Sequence, residues 1–371
     1  MKKKLRELLL PQYKSKIKAG DGLSKGKYKF FTCSPIQNKY CDEAIFSCPS
    51  LIFGTGGNAS VHYCEEPFST STDCLVMYGV AGTNLELIYQ YLHTNLHILQ
   101  AGFKGAGLQH ISKGYILDIE IDLPDEDQQI SITKQMRKID DMICYRNQQL
   151  LKYDELVKSC FIEMFGDPKS NSNSYDIVPF SDCVEYMGDI GSNGANKVVV
   201  EHLDMKDEED YALVVRFLNF TKNDFENDVK YISKEAYDFF KKSQIYGGEL
   251  IICKIGSAGQ NYVMPYLNRP VSLGLNQIMV RINRTTIMPY LYQYLNTDYG
   301  KQLIEACING AVTKSITKTE LKKLPVIVPP IDLQNEFATF VEQTDKLKLE
   351  IKESLEKLET LKKSLMQKYF G

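Results

Sequence analysis

Two stretches of the chain carry apolar residues in a helical stripe with neither Pro nor Gly to interrupt them. From about Asp125 to Phe165 the stripe is Ile132, Met136, Ile139, Ile143, Leu150, Tyr153, Val157 and Met164, with Arg146 and Cys160 in the remaining slots. Near the C-terminus it recurs as Leu333, Phe337, Phe340, Leu347, Ile351, Leu358, Leu361 and Leu365, with Thr344 and Ser354 as fillers. Spacings that alternate four and three over four or more heptads argue for a coiled coil over the alternative of two separate amphipathic helices, each packed on its own domain. At 1.5 Å per residue each stretch makes a rod of roughly 60 Å. Two such stripes in one chain can bury each other. A Pro-containing segment leads into each rod, Ile121-Asp122-Leu123-Pro124 and Val326-Ile327-Val328-Pro329-Pro330-Ile331, where Pro ends a strand and opens a helix.

The fronts of the rods read differently. Residues 27–122 and 175–328 alternate short β-rich runs with Gly, Asn and Ser turns. Val76-Met77-Tyr78, Leu250-Ile251-Ile252, Ile278 to Ile282 and Val326-Ile327-Val328 predict strands, and Leu85 to His97 and Met288 to Cys307 predict helices. No regular βαβ alternation runs through them, so the class is α+β.

The chain is also written twice. Leu150 to Gly166 aligns without gaps on Leu355 to Gly371, with identities at Leu150/Leu355, Lys152/Lys357, Leu156/Leu361, Lys158/Lys363, Ser159/Ser364, Phe165/Phe370 and Gly166/Gly371. The same offset of 205 holds upstream for Asp140/Asp345, Gln129/Gln334 and Pro124/Pro329, and for Gly105-Ala106 against Gly310-Ala311 and Ile111-Ser112-Lys113 against Ile316-Thr317-Lys318. Tyr89-Gln90-Tyr91-Leu92 returns as Tyr292-Gln293-Tyr294-Leu295. Chance explains scattered Leu and Lys in helices, but not an offset held this far. The extra length of the second copy falls in its front half, which is therefore the variable part. The expected division is a globular domain over 1–124, a helix over 125–166, a second globular domain over 167–328 and a second helix over 329–371.

Composition adds less. With 371 residues, 25% of them charged, the chain is an ordinary globular one with room for more than one core. Its net charge of −3 gives no bulk case for nucleic acid, yet that value is a sum of opposites. The first 30 residues hold ten Lys or Arg against Glu7 and Asp21, residues 201–210 hold six acids against Lys206, and Lys314, Lys318, Lys322 and Lys323 follow Gly310. The rods are balanced, with eight acids and seven bases over 331–371 and eight and six over 125–166. They carry no phosphate stripe. No two of the ten cysteines have Cys-x-x-Cys spacing, so they are expected as buried thiols in a reducing compartment. Arg6, Glu7 and Pro11 interrupt any apolar core behind the lysines at the start. No run approaches a membrane span. A cytoplasmic location is expected.

Catalytic motifs are scarce. Gly54-Thr55-Gly56-Gly57-Asn58-Ala59 matches G-x-G-x-x-A after the apolar Leu51-Ile52-Phe53, with Asp73 downstream. The helix that a dinucleotide site requires is missing, however, because Ser60 to Glu66 alternates like a strand. The second copy keeps only a glycine turn, Lys254-Ile255-Gly256-Ser257-Ala258-Gly259. A tight turn between strands explains both copies. His93 and His97 share a helix face, but Thr94 stands where a zinc protease needs Glu. No G-x-S-x-G, Walker sequence or Asn-Pro-Pro-Tyr-type loop occurs. No catalytic, cofactor or metal site is expected in this chain.

Two variable globular units, each followed by a near-identical long helix, make a layout that resembles the DNA-specificity subunit of type I restriction-modification systems. The resemblance covers the full chain. It rests most on the Leu123-Pro124 and Pro329-Pro330 helix entries with their downstream Gln, on Asp154 to Pro168, and on Gly248-Glu249-Leu250-Ile251-Ile252-Cys253-Lys254-Ile255-Gly256-Ser257. It implies two target recognition domains, each reading one half of an asymmetric bipartite site, with the helices paired antiparallel as a ruler between half-sites about one helical turn apart or a multiple of it. It further implies double-stranded DNA, two methyltransferase subunits that carry S-adenosylmethionine, and restriction/translocase subunits as partners. The short first domain is a departure that bears on its half-site. Residues expected at DNA are Lys254 and Ser257 at the glycine turn, Lys314, Ser315 and Lys318 after Gly310, and the first-copy Gly57, Asn58, Gln109, His110 and Lys113. Asn, Gln and Ser suit base edges, and Lys suits phosphate. The competing expectation is a coiled-coil scaffold with two ligand-binding heads and no DNA role.

Overall fold

Leu51-Ile52-Phe53 is apolar without alternation because both faces of its strand are covered. In the computed structural model, which describes residues 2–310 and 313–370, strand Ser50–Gly54 is buried throughout. Ala311 and the closing Gly371, both used in the repeat alignment, lie outside the described residues. The strand sits in an antiparallel sheet in the order Leu9–Pro11, Cys74–Gly79, Ser50–Gly54, Ser60–Cys64. Leu51, Phe53 and Met77 point into a core shared with helix Leu85–Thr94, whereas Ile52 and Val76 point into a second core with Phe31, Phe46 and Phe68. Those aromatics lie on and beside a smaller sheet in the order Lys39–Cys41, Tyr28–Phe31, Phe68–Thr70. The first head is therefore three layers thick.

The second head repeats this plan. Its central sheet runs Val184–Gly188, Gln277–Ile282, Leu250–Cys253, Asn261–Val263. Leu250, Ile252, Ile278 and Val280 face the helical layer, and Ile251 and Met279 face Leu213, Val215, Val271 and Leu273. Its smaller sheet gains a fourth strand, Gln244–Ile245, and helices Asn196–His202, Phe217–Lys222 and Lys234–Phe239 are additions to this copy. Arg281 lies between the rings of Tyr186 and Tyr246, 5.6 and 4.9 Å from their centroids, and bonds the buried Glu249.

Two helices expected as continuous are broken. Leu85 to His97 divides at Asn95 into Leu85–Thr94 and Leu96–Gln100. Met288 to Cys307 divides at Thr297, whose extended backbone ends Met288–Asn296 and whose hydroxyl caps Gly300 of Asp298–Ala306. The ten cysteines are all free, but only Cys64, Cys74, Cys183 and Cys253 are buried; Cys33, Cys41, Cys160 and Cys307 are half-buried and Cys48 and Cys144 exposed.

The rods are the uninterrupted helices Glu126–Phe165 and Ile331–Phe370. The chain divides into two compact units, one formed by the segment up to Gln149 with the helical segment from Ile351 on, the other by Leu150–Glu350, so each unit holds part of both helices. Within each unit the two parts run antiparallel. In the first, Asp140 receives Lys362 at 2.6 Å while Ile132 and Met136 lie in one core with Met366. In the second, Asp154 receives Lys348 at 2.8 Å and Phe161 and Phe165 pack on Phe337, each at 5.5 Å between centroids.

The first helix buries the expected stripe at Ile132, Met136 and Ile139, but toward its end the fully buried residues are Phe161 and Phe165 rather than Met164. The second helix buries Phe337, Thr344, Ile351 and Leu358 at strict heptad spacing, while Leu347 and Leu361 are 42% and 47% exposed. Their expected places are taken one residue later by Lys348 and Lys362, only 24% and 18% exposed at the side chain. A lysine stem covers as much apolar surface as a leucine while its ammonium reaches out to a carboxylate.

Candidate DNA interface

The glycine turns close β-hairpins, as their strand-like flanks predict. Gly57 and Gly256 occupy the left-handed region at φ 83° and 89°, and open space surrounds the place of a Cβ at each. Conformation alone therefore calls for glycine there. Each turn is stitched to a second hairpin. In the first head the amide of Gly57 donates to the Gln109 carbonyl and that of Ile111 to the Thr55 carbonyl, both at 3.1 Å. In the second the amide of Ile316 donates to the Lys254 carbonyl at 3.0 Å, and Ile255 bridges to Ser315. Residues 52 to 62 positions apart in sequence thus share one surface in each head.

In the first head the structure gathers Gly57, Asn58, Gln109 and His110 on this surface, with the last three exposed. His110 Nδ1 lies 3.1 Å from the Thr55 carbonyl, which can only accept, so Nδ1 carries a proton and Nε2 is left for another partner. Lys113 is exposed and borders a small cavity with Gln12, Tyr13, Lys14, Thr55 and Thr72. Beneath the turn Cys33 donates to the Asp73 carbonyl at 3.1 Å. Its contact with the Cys74 thiol, aided by backbone hydrogen bonds of Gly56 and Thr55, outweighs burial and lowers the Cys33 thiol to about 6.

In the second head Ser257 and Lys314 line one groove of about 620 Å³ with Asn261, Tyr292, Asn296 and Lys301, and Ser315 lies half-buried on the hairpin. Lys254 and Lys318 behave differently. Both ammonium groups donate to Asp189, at 2.9 and 2.8 Å, and Lys318 also donates to Ser192 Oγ at 2.9 Å. The Asp189 side chain is only 9% exposed. Burial raises its carboxyl, and the bonds from Lys318, Lys254 and Ser192 overcome this and hold it at about 2. Asp189 carries no sequence signal of its own, because its partners lie 65 and 129 residues downstream. No group of His, Cys, Asp or Glu able to hold a metal ion occurs among the described residues, and no helix among them is long and apolar enough to cross a membrane.

Comparison with known proteins places this architecture. A putative type I restriction enzyme MjaX specificity subunit from Methanocaldococcus jannaschii is 28% identical over 158 residues, which cover 41% of this chain and 36% of that protein. The match thus spans about a third of the relative's length. The crystal structure of the type I restriction-modification system S subunit from M. genitalium matches at TM-score 0.59 and 14% identity, over 100% of this chain and 96% of that one. A chain from a structural study of complex assembly and conformational transition in the type I R-M system matches at TM-score 0.55 and 14% identity, over 100% and 97%. At these identities the two structures speak for the fold. The model of the type I restriction modification DNA specificity domain matches residues 1–152 and again 132–363, one span over most of each copy of the repeat. With both copies matched, the chain belongs to the family of type I restriction modification DNA specificity domains.

Proposed function

We propose that this chain is the non-catalytic DNA-recognition subunit of a type I restriction-modification complex, each head reading one half of an asymmetric bipartite site. The observation that carries this reading is the pairing, in both heads, of one hairpin-on-hairpin surface with two different sets of side chains: Asn58, Gln109 and His110 in one, Ser257, Lys314 and Ser315 in the other. A shared backbone frame with exchanged polar groups is what two readers of unlike half-sites require, since base edges are told apart by donors and acceptors. Gly57 and Lys113 belong to the same contact surface. Lys254 and Lys318 serve it by holding the turn through Asp189. The paired helices set the gap between half-sites and dock two methyltransferase subunits. Those subunits bring S-adenosylmethionine and perform the adenine methylation, and restriction/translocase subunits join the same complex in the cytoplasm.

A scaffold without a DNA role is not favoured by the family assignment. The deciding experiment co-expresses the chain with a methyltransferase subunit and maps methylated adenines by long-read sequencing. A bipartite motif with unlike halves is expected. Deleting four residues from one rod helix is expected to change or abolish the spacing while both half-sites stay the same. Methylation with no bipartite motif refutes the recognition reading, and an unchanged spacing refutes the ruler.

A further inference from the structure

Strand registers equate positions in the two heads. Pro11 pairs with Met77, which also faces Leu51, and Gly188 pairs with Met279, which also faces Ile251. The residue after each edge strand is therefore Gln12 in the first head and Asp189 in the second. The bonds from Ile111 to Thr55 and from Ile316 to Lys254 equate Thr55 with Lys254 and, two residues on, Lys113 with Lys318. One head sets Gln12, Thr55 and Lys113 where the other sets Asp189, Lys254 and Lys318.

The electrostatic consequence is opposite in the two heads. In the second, two ammonium groups close on one buried carboxylate, with one net positive charge shared between them, one donor of Lys254 and two of Lys318 being engaged. At the equivalent place in the first head no acidic side chain among the described residues lines the cavity. Lys113 and Lys14 border one small cavity with the hydroxyls of Thr55 and Thr72, and neither ammonium has an ion-pair partner among the described residues. The two free ammonium groups suit a phosphate oxygen because both can donate, whereas the Thr55 and Thr72 hydroxyls already donate to the carbonyls of Asp73 and Ile17.

Resting on the DNA reading above, we propose that the heads grip the DNA backbone unequally: Lys14 and Lys113 take a phosphate at the first head, whereas Asp189 is a positioning residue that withholds Lys254 and Lys318 from phosphate and uses them to lock the second head's turn. Each contact to phosphate contributes about 0.9 to the slope of log affinity against log salt. The full chain is titrated against a random-sequence duplex by fluorescence anisotropy over a range of KCl. The double variant K14A/K113A is expected to flatten the slope by about 1, and K254A, which removes a tie on the turn and no phosphate contact, to weaken binding at every salt without changing the slope. D189N frees two lysines and is expected to steepen the slope, which mere loosening of the turn does not do.

A wild-type chain that binds no duplex at any salt refutes the DNA reading itself. A wild-type chain with a salt-dependent affinity, together with an unchanged slope in K14A/K113A or a flattened one in K254A, overturns the asymmetry alone. So does a D189N chain that keeps its native circular dichroism and an unchanged slope. Lys14 and Lys113 are exposed, so their variants test the proposal whether or not D189N folds.

Discussion

Asp189→Asn removes one charge from a site where three groups converge, and its cost can be worked from the ionisation of the acid. The carboxyl is held at about 2 against an ordinary 3.8, a difference of about two pH units, or about 2.5 kcal/mol at 1.36 kcal/mol per unit. Asn has the shape of the protonated acid, so the variant at neutral pH matches the wild type after the proton has been taken up. The folded value is the depressed one. Stability from this group is therefore complete above the ordinary aspartate range and is lost as pH falls through about 2. The chain contains no Trp to report on one head, which makes hydrogen exchange with mass spectrometry the suitable assay. Protection of strand Leu250–Cys253 and of the Ile316 amide that bonds Lys254 is expected to fall by roughly 70-fold at neutral pH. Strand Ser50–Gly54 of the first head is expected to stay unchanged. A loss below about threefold, or an equal loss in both heads, refutes the clamp.

Three further outcomes follow from packing. Phe337→Ala empties a fully buried site against Phe161 and Phe165, and is expected to cost the second unit about 3–5 kcal/mol in urea unfolding. A cost under about 1 kcal/mol means that the helices do not hold each other through this cluster. Gly57→Ala meets open space and only an unfavourable φ, so a loss of about 1 kcal/mol is expected, whereas at Gly310 a Cβ would lie 2.3 Å from the Thr313 carbonyl. Thermal melting should rank Gly310→Ala well below Gly57→Ala, and the reverse order contradicts the turn geometry. Alkylation of Cys33 by iodoacetamide, followed by peptide mass spectrometry, is expected to rise at a lower pH than that of an ordinary thiol. A midpoint near that of an ordinary thiol contradicts the Cys74 contact.

Periodicity is a local property, and what it controls was legible from the sequence. The stripe from Ile132 to Val157 marks the first rod, the repeat from Pro124/Pro329 to Phe165/Phe370 marks two copies of one plan, and the strand-like residues behind Gly57 exclude a dinucleotide site. Helix breaks within otherwise suitable runs were less legible, since Thr297 becomes a cap only once its hydroxyl finds the Gly300 amide. Chain folding over long separations decided the rest. Lys348 and Lys362 enter the rod seam in place of Leu347 and Leu361 because Asp154 and Asp140 stand opposite. Lys254 and Lys318 read as unpaired lysines until the fold brings Asp189 between them. A sequence shows which side chains can carry charge or be buried. Whether a given ammonium is free depends on which carboxylate the tertiary fold places within about 3 Å of it, and no local pattern records that.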